Sequence, residues 1–280
     1  MNIMVRFPNA KINIGLFVRN KRDDGFHNIE TIFYPIKIKD AVEAIDNEAK
    51  GTRFDFTGID LGGGFKRNLC YKAYSLMKER YGIGNIKFHL YKNIPIGAGL
   101  GGGSSDCAFT LKLLSELFSL NLGDDALVEM SKTLGSDCAF FIKNKPVIAF
   151  GKGDEFKYID LSFLQQYFIV VVKPLVGVKT WEAYGNVSLS PNKESLENLL
   201  KLPIDEWRYK VGNDFESSVF DKYPEIGIIK NVFYEKGAVY ASMSGSGSSV
   251  YGIFKEELNL KEYFNKDYFY FSSKMSYDDL

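Results

Sequence analysis

A dense glycine cluster constrains this chain more than any other part of it. The stretch 97-GAGLGGGSSD-106 has five glycines in seven residues, then two serines and an aspartate. It lies between a strand-like segment, 86–91, and a long apolar segment with helical spacing, 107–120. Glycines let several backbone N–H groups point inward, and a following helix adds its positive end. The sequence therefore predicts a loop that holds phosphate oxygens, with Ser104 and Ser105 as further donors or Mg²⁺ ligands.

Several kinds of phosphate loop carry glycines, and this one departs from the best known. Gly97, Gly99 and Gly102 satisfy GxGxxG, but Pro95 intrudes behind the strand, and residues 116–121 are still helix or its end. A dinucleotide-binding fold needs an acidic residue there, at the end of its next strand. No lysine precedes the serines, as the Walker pattern requires, and the protein-kinase motifs HRD and DFG are absent. A flexible surface loop with a serine or aspartate helix cap is the alternative.

The residues before the glycine loop indicate a long β-hairpin and a helix. Residues 10–18 alternate between apolar and polar side chains, and residues 29–38 alternate again after a polar turn at 19–25. Residues 69–81 have helical spacing and follow Asn68, a possible N-cap. These patterns predict two paired strands and one capped helix.

The residues after the loop indicate a second, separate unit. In chain order, the pattern predicts a helix over 107–120, a helix over 126–134, a hairpin around 151–154, a buried strand over 167–174 followed by several helices, and a final hairpin with its turn at 244–247. Because the pattern restarts after 151–154, we predict two α+β domains, residues 1–155 with the glycine loop and residues 156–280 on the substrate side.

Composition limits the partners and the compartment. Lys+Arg and Asp+Glu are both 35, so the formal net charge is zero, which disfavours a nucleic-acid partner. The three cysteines are widely spaced and suit a reducing cytoplasm. Arg6 and Lys11 interrupt the N-terminal apolar residues, so we expect no signal peptide, and no apolar run approaches the ~20 residues of a spanning helix.

Two residues are candidates for phosphoryl-transfer chemistry, which needs charge neutralisation and a group that orients the attacking oxygen. Lys11 lies on the polar face of a predicted strand; the alternative is a strand lysine with a solvated ammonium. Asp137 follows a helix end and precedes apolar 138-CAFFI-142; the alternative is an N-cap aspartate. Phe26 and His27, beside a turn, suit a heterocyclic base, although a lone histidine in a loop is often a surface residue.

Three motifs, taken together, resemble the GHMP small-molecule kinases. They are PNAKINIGL (8–16), PIGAGLGGGSSD (95–106) and SMSGSGSS (242–249), and they occur in the order typical of that family. Two further segments, RDDGFHNIET (22–31) and LGSDCAFF (134–141), resemble members that act on a cytidine-diphosphate sugar alcohol. The resemblance covers most of the chain and implies a two-domain fold with the active site in the cleft between the domains.

The resemblance also implies roles for individual residues. Lys11 and Asp137 match the catalytic pair of the family, while Asn68 and Lys92 match positions near the adenosine of ATP. Asn13, Phe26, His27 and Thr180 match substrate contacts, with Phe26, a tyrosine in those relatives, and His27 at the cytosine ring. The residues that match the ATP-phosphate loop are Pro95, Ile96, Gly97, Ala98, Gly99, Leu100, Gly101, Gly102, Gly103, Ser104 and Ser105.

The implied reaction is ATP-dependent phosphorylation, with Mg²⁺, of a hydroxyl of cytidine diphosphate methylerythritol, giving the 2-phosphate in non-mevalonate isoprenoid biosynthesis. The sequence shows no acidic residue dedicated to Mg²⁺, so the metal's protein ligand stays open. Alternatives are a mevalonate- or homoserine-type kinase of the same family, or a nucleotide-binding module without chemistry. The expected assembly is a monomer or a homodimer.

Overall fold

A computed structural model describes residues 3–47, 51–62, 64–185, 187–278 and 280. Within these residues the chain forms twelve β-strands and nine α-helices. The strands are β1 (Ile3–Arg6), β2 (Asn9–Lys21), β3 (His27–Lys39), β4 (Ala41–Asp46), β5 (Arg53–Gly58), β6 (Ile86–Lys92), β7 (Val147–Phe150), β8 (Glu155–Tyr158), β9 (Phe168–Lys173), β10 (Tyr240–Met243), β11 (Val250–Phe254) and β12 (Phe269–Lys274). The helices are α1 (Leu69–Tyr81), α2 (Gly102–Leu117), α3 (Asp124–Lys132), α4 (Cys138–Lys143), α5 (Thr180–Gly185), α6 (Leu196–Leu199), α7 (Ile204–Lys210), α8 (Glu216–Lys222) and α9 (Pro224–Glu235).

In the described part of the chain, the strands make three four-stranded sheets. Their strand orders are β1-β4-β6-β5, β2-β3-β7-β8 and β10-β11-β9-β12. Every pairing is antiparallel except that of β5 with β6. The first sheet packs its apolar face on α1 and α2, and the third packs on α8 and α9. This mixture of helices and mostly antiparallel sheets confirms the predicted α+β class.

A shared core joins the first and last parts of the chain. Ile12 and Ile14 of β2 belong to the same buried cluster as Val171 of β9 and Tyr251 of β11. The predicted domain boundary at 155/156 falls inside β8, which pairs with β7, and it stays a prediction. Because β2 packs against strands of the last sheet, its side chains can meet residues from the far end of the sequence.

Most predicted elements are present, with shifted ends. The hairpin of β2 and β3 and the turn between β10 and β11 are confirmed. Helix α1 begins directly after Asn68, whose side chain accepts a hydrogen bond from the Cys70 N–H, as an N-cap does. Helix α2 begins at Gly102, five residues before the predicted start, so two glycines of the loop are helical despite their low helix propensity.

Candidate active site

The glycine-rich loop runs from the end of β6 to the start of α2. Gly97, Gly99 and Gly101 have φ angles of +59°, +75° and +70°, which residues with a Cβ rarely adopt. Neighbours also close in on two of them. A Cβ at Gly99 would lie 1.9 Å from the carbonyl oxygen of Ser244, and one at Gly101 would lie 3.1 Å from Cε of Lys11. The glycines therefore let this turn press against two distant segments.

The start of α2 opens onto a cavity of about 290 Å³. Gly101, the N-cap, has no side chain to bond the first N–H groups, and the first turn carries no acidic residue. Unpaired N–H groups and the positive helix end favour an anion here. The predicted phosphate-loop residues from Pro95 to Ser104 line this cavity. Ser105 does not; it is buried, and its hydroxyl has no hydrogen-bond partner among the described residues.

Lys11 lies on β2 with its ammonium buried beside the loop; the residue is only 3% exposed. The alternative of a solvated strand lysine is therefore wrong. The ammonium donates to Oδ1 of Asn13 at 2.5 Å and to the Gly99 carbonyl at 3.2 Å, and it lies 4.7 Å from the centroid of the Phe33 ring. Burial lowers the pKa of Lys11, and the nearby Asp137 carboxylate offsets this only in part.

Asp137 occupies the N-cap position of α4, but its carboxylate makes no capping hydrogen bond. Oδ2 lies 3.6 Å from the Lys11 ammonium, and the Ser136 hydroxyl donates to Oδ1 at 3.3 Å. The capping alternative is thus wrong for the side chain, and the carboxylate faces Lys11 instead. Both residues line a cavity of about 340 Å³ that also contacts Gly97, Gly99 and Ser104.

One hydroxyl connects the three recognised motifs. Ser244, in the last hairpin, accepts a hydrogen bond from the Asn13 N–H at 3.1 Å and donates to the Gly99 carbonyl at 2.8 Å. Nearby, the Ser249 N–H donates to the Ala98 carbonyl at 3.2 Å. The strand with the lysine, the glycine loop and the C-terminal hairpin therefore form one hydrogen-bonded unit.

An aromatic cavity of about 870 Å³ adjoins the Lys11–Asp137 cavity and shares Ser136, Lys152, Thr180 and Tyr184 with it. The His27 ring stacks on the Tyr184 ring with centroids 4.9 Å apart. Phe26 lines the same cavity and is 58% exposed, so one face of its ring is free for a planar ligand. Burial, and to a lesser extent Lys21, lowers the pKa of His27, which favours the neutral imidazole.

Asn68 and Lys92 both line the cavity at the glycine loop, and each also makes a hydrogen bond within the protein. The Asn68 side-chain oxygen caps α1, which leaves its NH₂ group for a ligand. The Lys92 ammonium is buried between the carboxylates of Asp40 and Asp106. Its role beside an adenosine stays a prediction.

Comparison with known proteins agrees with the arrangement of these motifs. Residues 68–145 match the family model described as GHMP kinases N terminal domain, and residues 195–268 match the one described as GHMP kinases C terminal. The chain belongs to the GHMP kinases. The family resemblance predicted from the three motifs is confirmed.

Relatives of this GHMP kinase have more specific names. A 4-diphosphocytidyl-2-C-methyl-D-erythritol kinase of Bacteroides thetaiotaomicron is 50% identical over 261 residues, 92% of this chain and 95% of the relative. One of Parabacteroides distasonis is 49% identical over 259 residues, 92% and 94% of the two chains. A crystal structure of 4-(cytidine 5'-diphospho)-2C-methyl-D-erythritol kinase is 32% identical, covers 89% of this chain and 90% of that one, and has a TM-score of 0.76.

Sequence reasoning did not single out Lys152, Trp181 and Tyr184 of this GHMP kinase, which line the aromatic cavity. Lys152 places its ammonium 5.1 Å from the Phe26 ring centroid, and Thr180 and Ser246 have hydroxyl oxygens 3.3 Å apart. These residues lie in loops and a short helix, where no periodic pattern marks a side chain. The glycines on either side of Lys152, at 151 and 153, were the available signal for that residue.

The described residues contain no group of three or more His, Cys, Asp or Glu side chains placed to hold a metal ion. Among them there is also no helix long and apolar enough to cross a membrane.

Proposed function

We propose that this GHMP kinase transfers the γ-phosphoryl group of ATP to a hydroxyl of 4-diphosphocytidyl-2-C-methyl-D-erythritol, giving the 2-phosphate. The names of relatives that are about 50% identical over nine-tenths of the chain support this substrate. The single observation that carries the chemistry is the Lys11–Asp137 pair, 3.6 Å apart, between an anion-binding loop and an aromatic cavity. Nucleotide binding alone requires neither residue.

The glycine loop would hold the ATP phosphates through its backbone N–H groups and the start of α2. Asn68 and Lys92 line the same cavity and would lie near the adenosine. Mg²⁺ is commonly held by one or two carboxylates together with the phosphates of its nucleotide. The Ser104 hydroxyl, which lines the cavity at the glycine loop, would add an oxygen from this chain to those phosphates. When bound, Mg²⁺ would neutralise negative charge on the phosphates.

The acceptor would occupy the aromatic cavity. Phe26 and the His27–Tyr184 pair offer ring faces and an imidazole for the cytosine, and Lys152 offers a positive charge for the diphosphate. Asn13 and Thr180 lie on the side of this site nearer Asp137, because both line the cavity that contains it. The erythritol hydroxyl would therefore reach Asp137 while the base lies against the rings.

Asp137 would orient the hydroxyl and accept its proton as the oxygen attacks the γ-phosphorus. The new P–O bond forms to the acceptor oxygen, the bond to the β-phosphate oxygen breaks, and ADP leaves. The Lys11 ammonium, which lies 3.6 Å from that carboxylate, would offset negative charge on the transferred group. The hydrogen bond of this ammonium to the Gly99 carbonyl supports this role, because it brings the charge next to the loop that would hold the phosphates.

An ADP-release assay tests the proposal with four acceptors: 4-diphosphocytidyl-2-C-methyl-D-erythritol, mevalonate, homoserine and none. Acceptor-dependent ADP release with the cytidine compound alone, and a 2-phosphate product by ³¹P NMR, is the expected result. Turnover only with mevalonate or homoserine would overturn the substrate. Calorimetric ATP binding without turnover of any acceptor would favour a non-catalytic module.

We also propose the cytoplasm as its compartment, with no nucleic-acid partner and a monomeric or homodimeric state. Cys70, Cys107 and Cys138 are buried and unbridged, which suits a reducing environment. Sedimentation of the full chain tests the assembly.

A further inference from the structure

The hydroxyl of Thr31 acts both as a hydrogen-bond donor and as an acceptor inside the protein. Thr31 lies on β3 opposite Leu16, is fully buried, and lines neither the Lys11–Asp137 cavity nor the aromatic one. Its hydroxyl donates to the Gly15 carbonyl at 2.5 Å and accepts from the Asn13 NH₂ group at 2.9 Å. A hydroxyl has one hydrogen and a carbonyl can only accept. The hydrogen therefore goes to Gly15, and only lone pairs face Asn13.

A β-bulge makes the Gly15 carbonyl available to this hydroxyl. The pairing of β2 with β3 shifts register between Ile14 and Leu16, so Gly15 has no partner across the hairpin. Its φ is +67°, and a Cβ there would lie 2.7 Å from Cδ2 of Leu196. The extra residue of a bulge leaves the ladder and turns its peptide aside. In this bulge the carbonyl turns toward Thr31.

The Asn13 amide has two ends of similar shape and opposite chemistry, so its partners decide its orientation. Because Thr31 presents lone pairs, the NH₂ group faces Thr31, and Oδ1 faces the Lys11 ammonium at 2.5 Å. The reverse orientation would set an NH₂ donor against an ammonium, which has only donors. The Asn13 backbone cannot shift away, since Ser244 and Tyr251 hydrogen-bond its N–H and carbonyl.

We infer that Thr31 is a positioning residue: its hydroxyl fixes the Asn13 amide so that Oδ1 holds the Lys11 ammonium between the glycine loop and Asp137. This inference rests on the proposed function, in which Lys11 acts on the transferred phosphoryl group. Among the described residues, Asp137 of the α4 N-terminus is the charged group paired with Lys11. The Gly99 carbonyl of the loop and the Phe33 ring of β3 are neutral. The hydrogen bond to Asn13 Oδ1 is therefore a main contact that holds the ammonium in place.

Two substitutions separate this role from simple packing. Thr31→Val keeps the shape and removes the hydroxyl, whereas Thr31→Ser keeps the hydroxyl. We expect Thr31→Val to lower kcat about 10- to 100-fold with KM for both substrates within about twofold, because a displaced group affects the transition state more than binding. Thr31→Ser should stay within about threefold of the original kcat.

A second readout does not depend on the acceptor. Titration of [ε-¹³C]lysine-labelled protein by NMR follows Lys11, whose signal is assigned by its loss in Lys11→Met. The pKa of Lys11 should be lower in Thr31→Val than in the original protein or Thr31→Ser. Thr110→Val is the matched control: Thr110 is also fully buried, and its hydroxyl donates to the Asp106 carbonyl within α2 at 2.7 Å. It should leave both kcat and the Lys11 titration unchanged.

An unchanged kcat and Lys11 titration in Thr31→Val would overturn the inference, and so would a Thr31→Ser variant as slow as Thr31→Val. If Thr31→Val does not fold, Thr31→Cys replaces it with the same expectation, because a thiol donates weakly to Gly15 and is a poor acceptor for Asn13. If the original protein phosphorylates no cytidine substrate, the proposed function fails by itself, and the NMR comparison still tests Thr31.

Discussion

Two buried lysines of this kinase have nearly the same exposure and opposite electrostatics. Lys11 and Lys92 are each 3% exposed, and burial by itself lowers the pKa of both ammonium groups. Lys92 contacts two carboxylates, those of Asp106 and Asp40, and its net pKa is raised. Lys11 has one carboxylate, Asp137, at 3.6 Å, and its net pKa is lowered.

The difference teaches that the charges facing a buried lysine, and not its burial, separate a structural lysine from a reactive one. The Lys92 ammonium is neutralised by its own protein and has little charge to offer a ligand. The Lys11 ammonium is held mainly by neutral oxygens, so its charge is available to a phosphoryl group. Substitutions at these two lysines and at their carboxylate partners test this distinction.

Removing the one carboxylate at Lys11 should have the largest effect on turnover. Asp137→Asn loses the base and the partner of Lys11, so kcat should fall by about 10²- to 10⁴-fold. ATP-analogue affinity, measured by calorimetry, should stay within about threefold, since the loop backbone is untouched. Asp125→Asn, a highly exposed carboxylate on α3, is the control. Near-normal turnover of Asp137→Asn would remove Asp137 from its proposed role.

The same substitution at the two lysines should lower stability at one site and turnover at the other. Lys92→Met removes the ammonium that hydrogen-bonds both buried acids, Asp40 and Asp106, so the free energy of unfolding should fall by about 3–5 kcal/mol. Lys11→Met should change it by less than about 1 kcal/mol, because Asp137 is partly exposed and hydrated, while turnover is lost. Urea denaturation measures both. Equal losses of stability would show that the two lysines do not differ as described.

The two lysines should also make the free energy of unfolding depend on pH in opposite directions. Because the pKa of Lys11 lies below its ordinary 10.5, kcat should fall as pH rises through the lowered value. Its contribution to stability should rise with pH between the lowered pKa and 10.5, since the unfolded chain binds the proton more tightly. The contribution of Lys92, whose pKa is raised, holds below 10.5 and is lost above it.

Lys11→Arg tests the kinetic part of this dependence. An arginine stays protonated over the accessible pH range, so the alkaline fall in kcat should disappear from its residual activity. An unchanged alkaline limb would show that another group titrates.

The smallest effect should come from one of the two carboxylates at Lys92. Burial, opposed by Lys92 and aided by Asp40, raises the pKa of Asp106 well above its usual range, and its Oδ1 has no hydrogen-bond partner in the described residues. Asp106→Asn should therefore cost at most about 1 kcal/mol in urea denaturation.

Asp40→Asn is the informative counterpart. Asp40 also accepts hydrogen bonds from the N–H groups of Asn93 and Ile94 at 2.6 and 2.8 Å. Losing its charge should cost about 2–3 kcal/mol, as for hydrogen bonds to charged groups. Similar costs for the two variants would contradict the asymmetry.

The sequence predicted the secondary-structure elements better than it predicted the surroundings of individual side chains. Local alternation and helical spacing were sufficient to predict β2, β3 and α1, since these patterns show which side of a strand or helix is buried. The same alternation was also consistent with a solvent-exposed Lys11 ammonium. It could not reveal the burial of that group, because the glycine loop and the last hairpin, which cover it, are distant in sequence. For Lys92, Asp40 lies 52 residues away along the chain, and no local pattern reveals such a partner.

The site residues divide in the same way. The glycines and the Lys11 and Asp137 positions lie in compact motifs, which a single sequence can show. Tyr184 and Lys152 reach the aromatic cavity from segments whose placement depends on tertiary packing. The early start of α2 was missed because Gly102 and Gly103 are poor helix formers on their own, and packing overrides that tendency.

The contact of Gly99 with the Ser244 carbonyl, where not even a methyl group would fit, has a consequence for how the enzyme is made. A ribosome adds Gly99 145 residues before it adds the serine that supports it. Because domains fold from the N-terminus during synthesis, the nascent phosphate loop lacks this support until the hairpin of β10 and β11 has emerged. The nucleotide site therefore cannot be completed by the N-terminal segments alone.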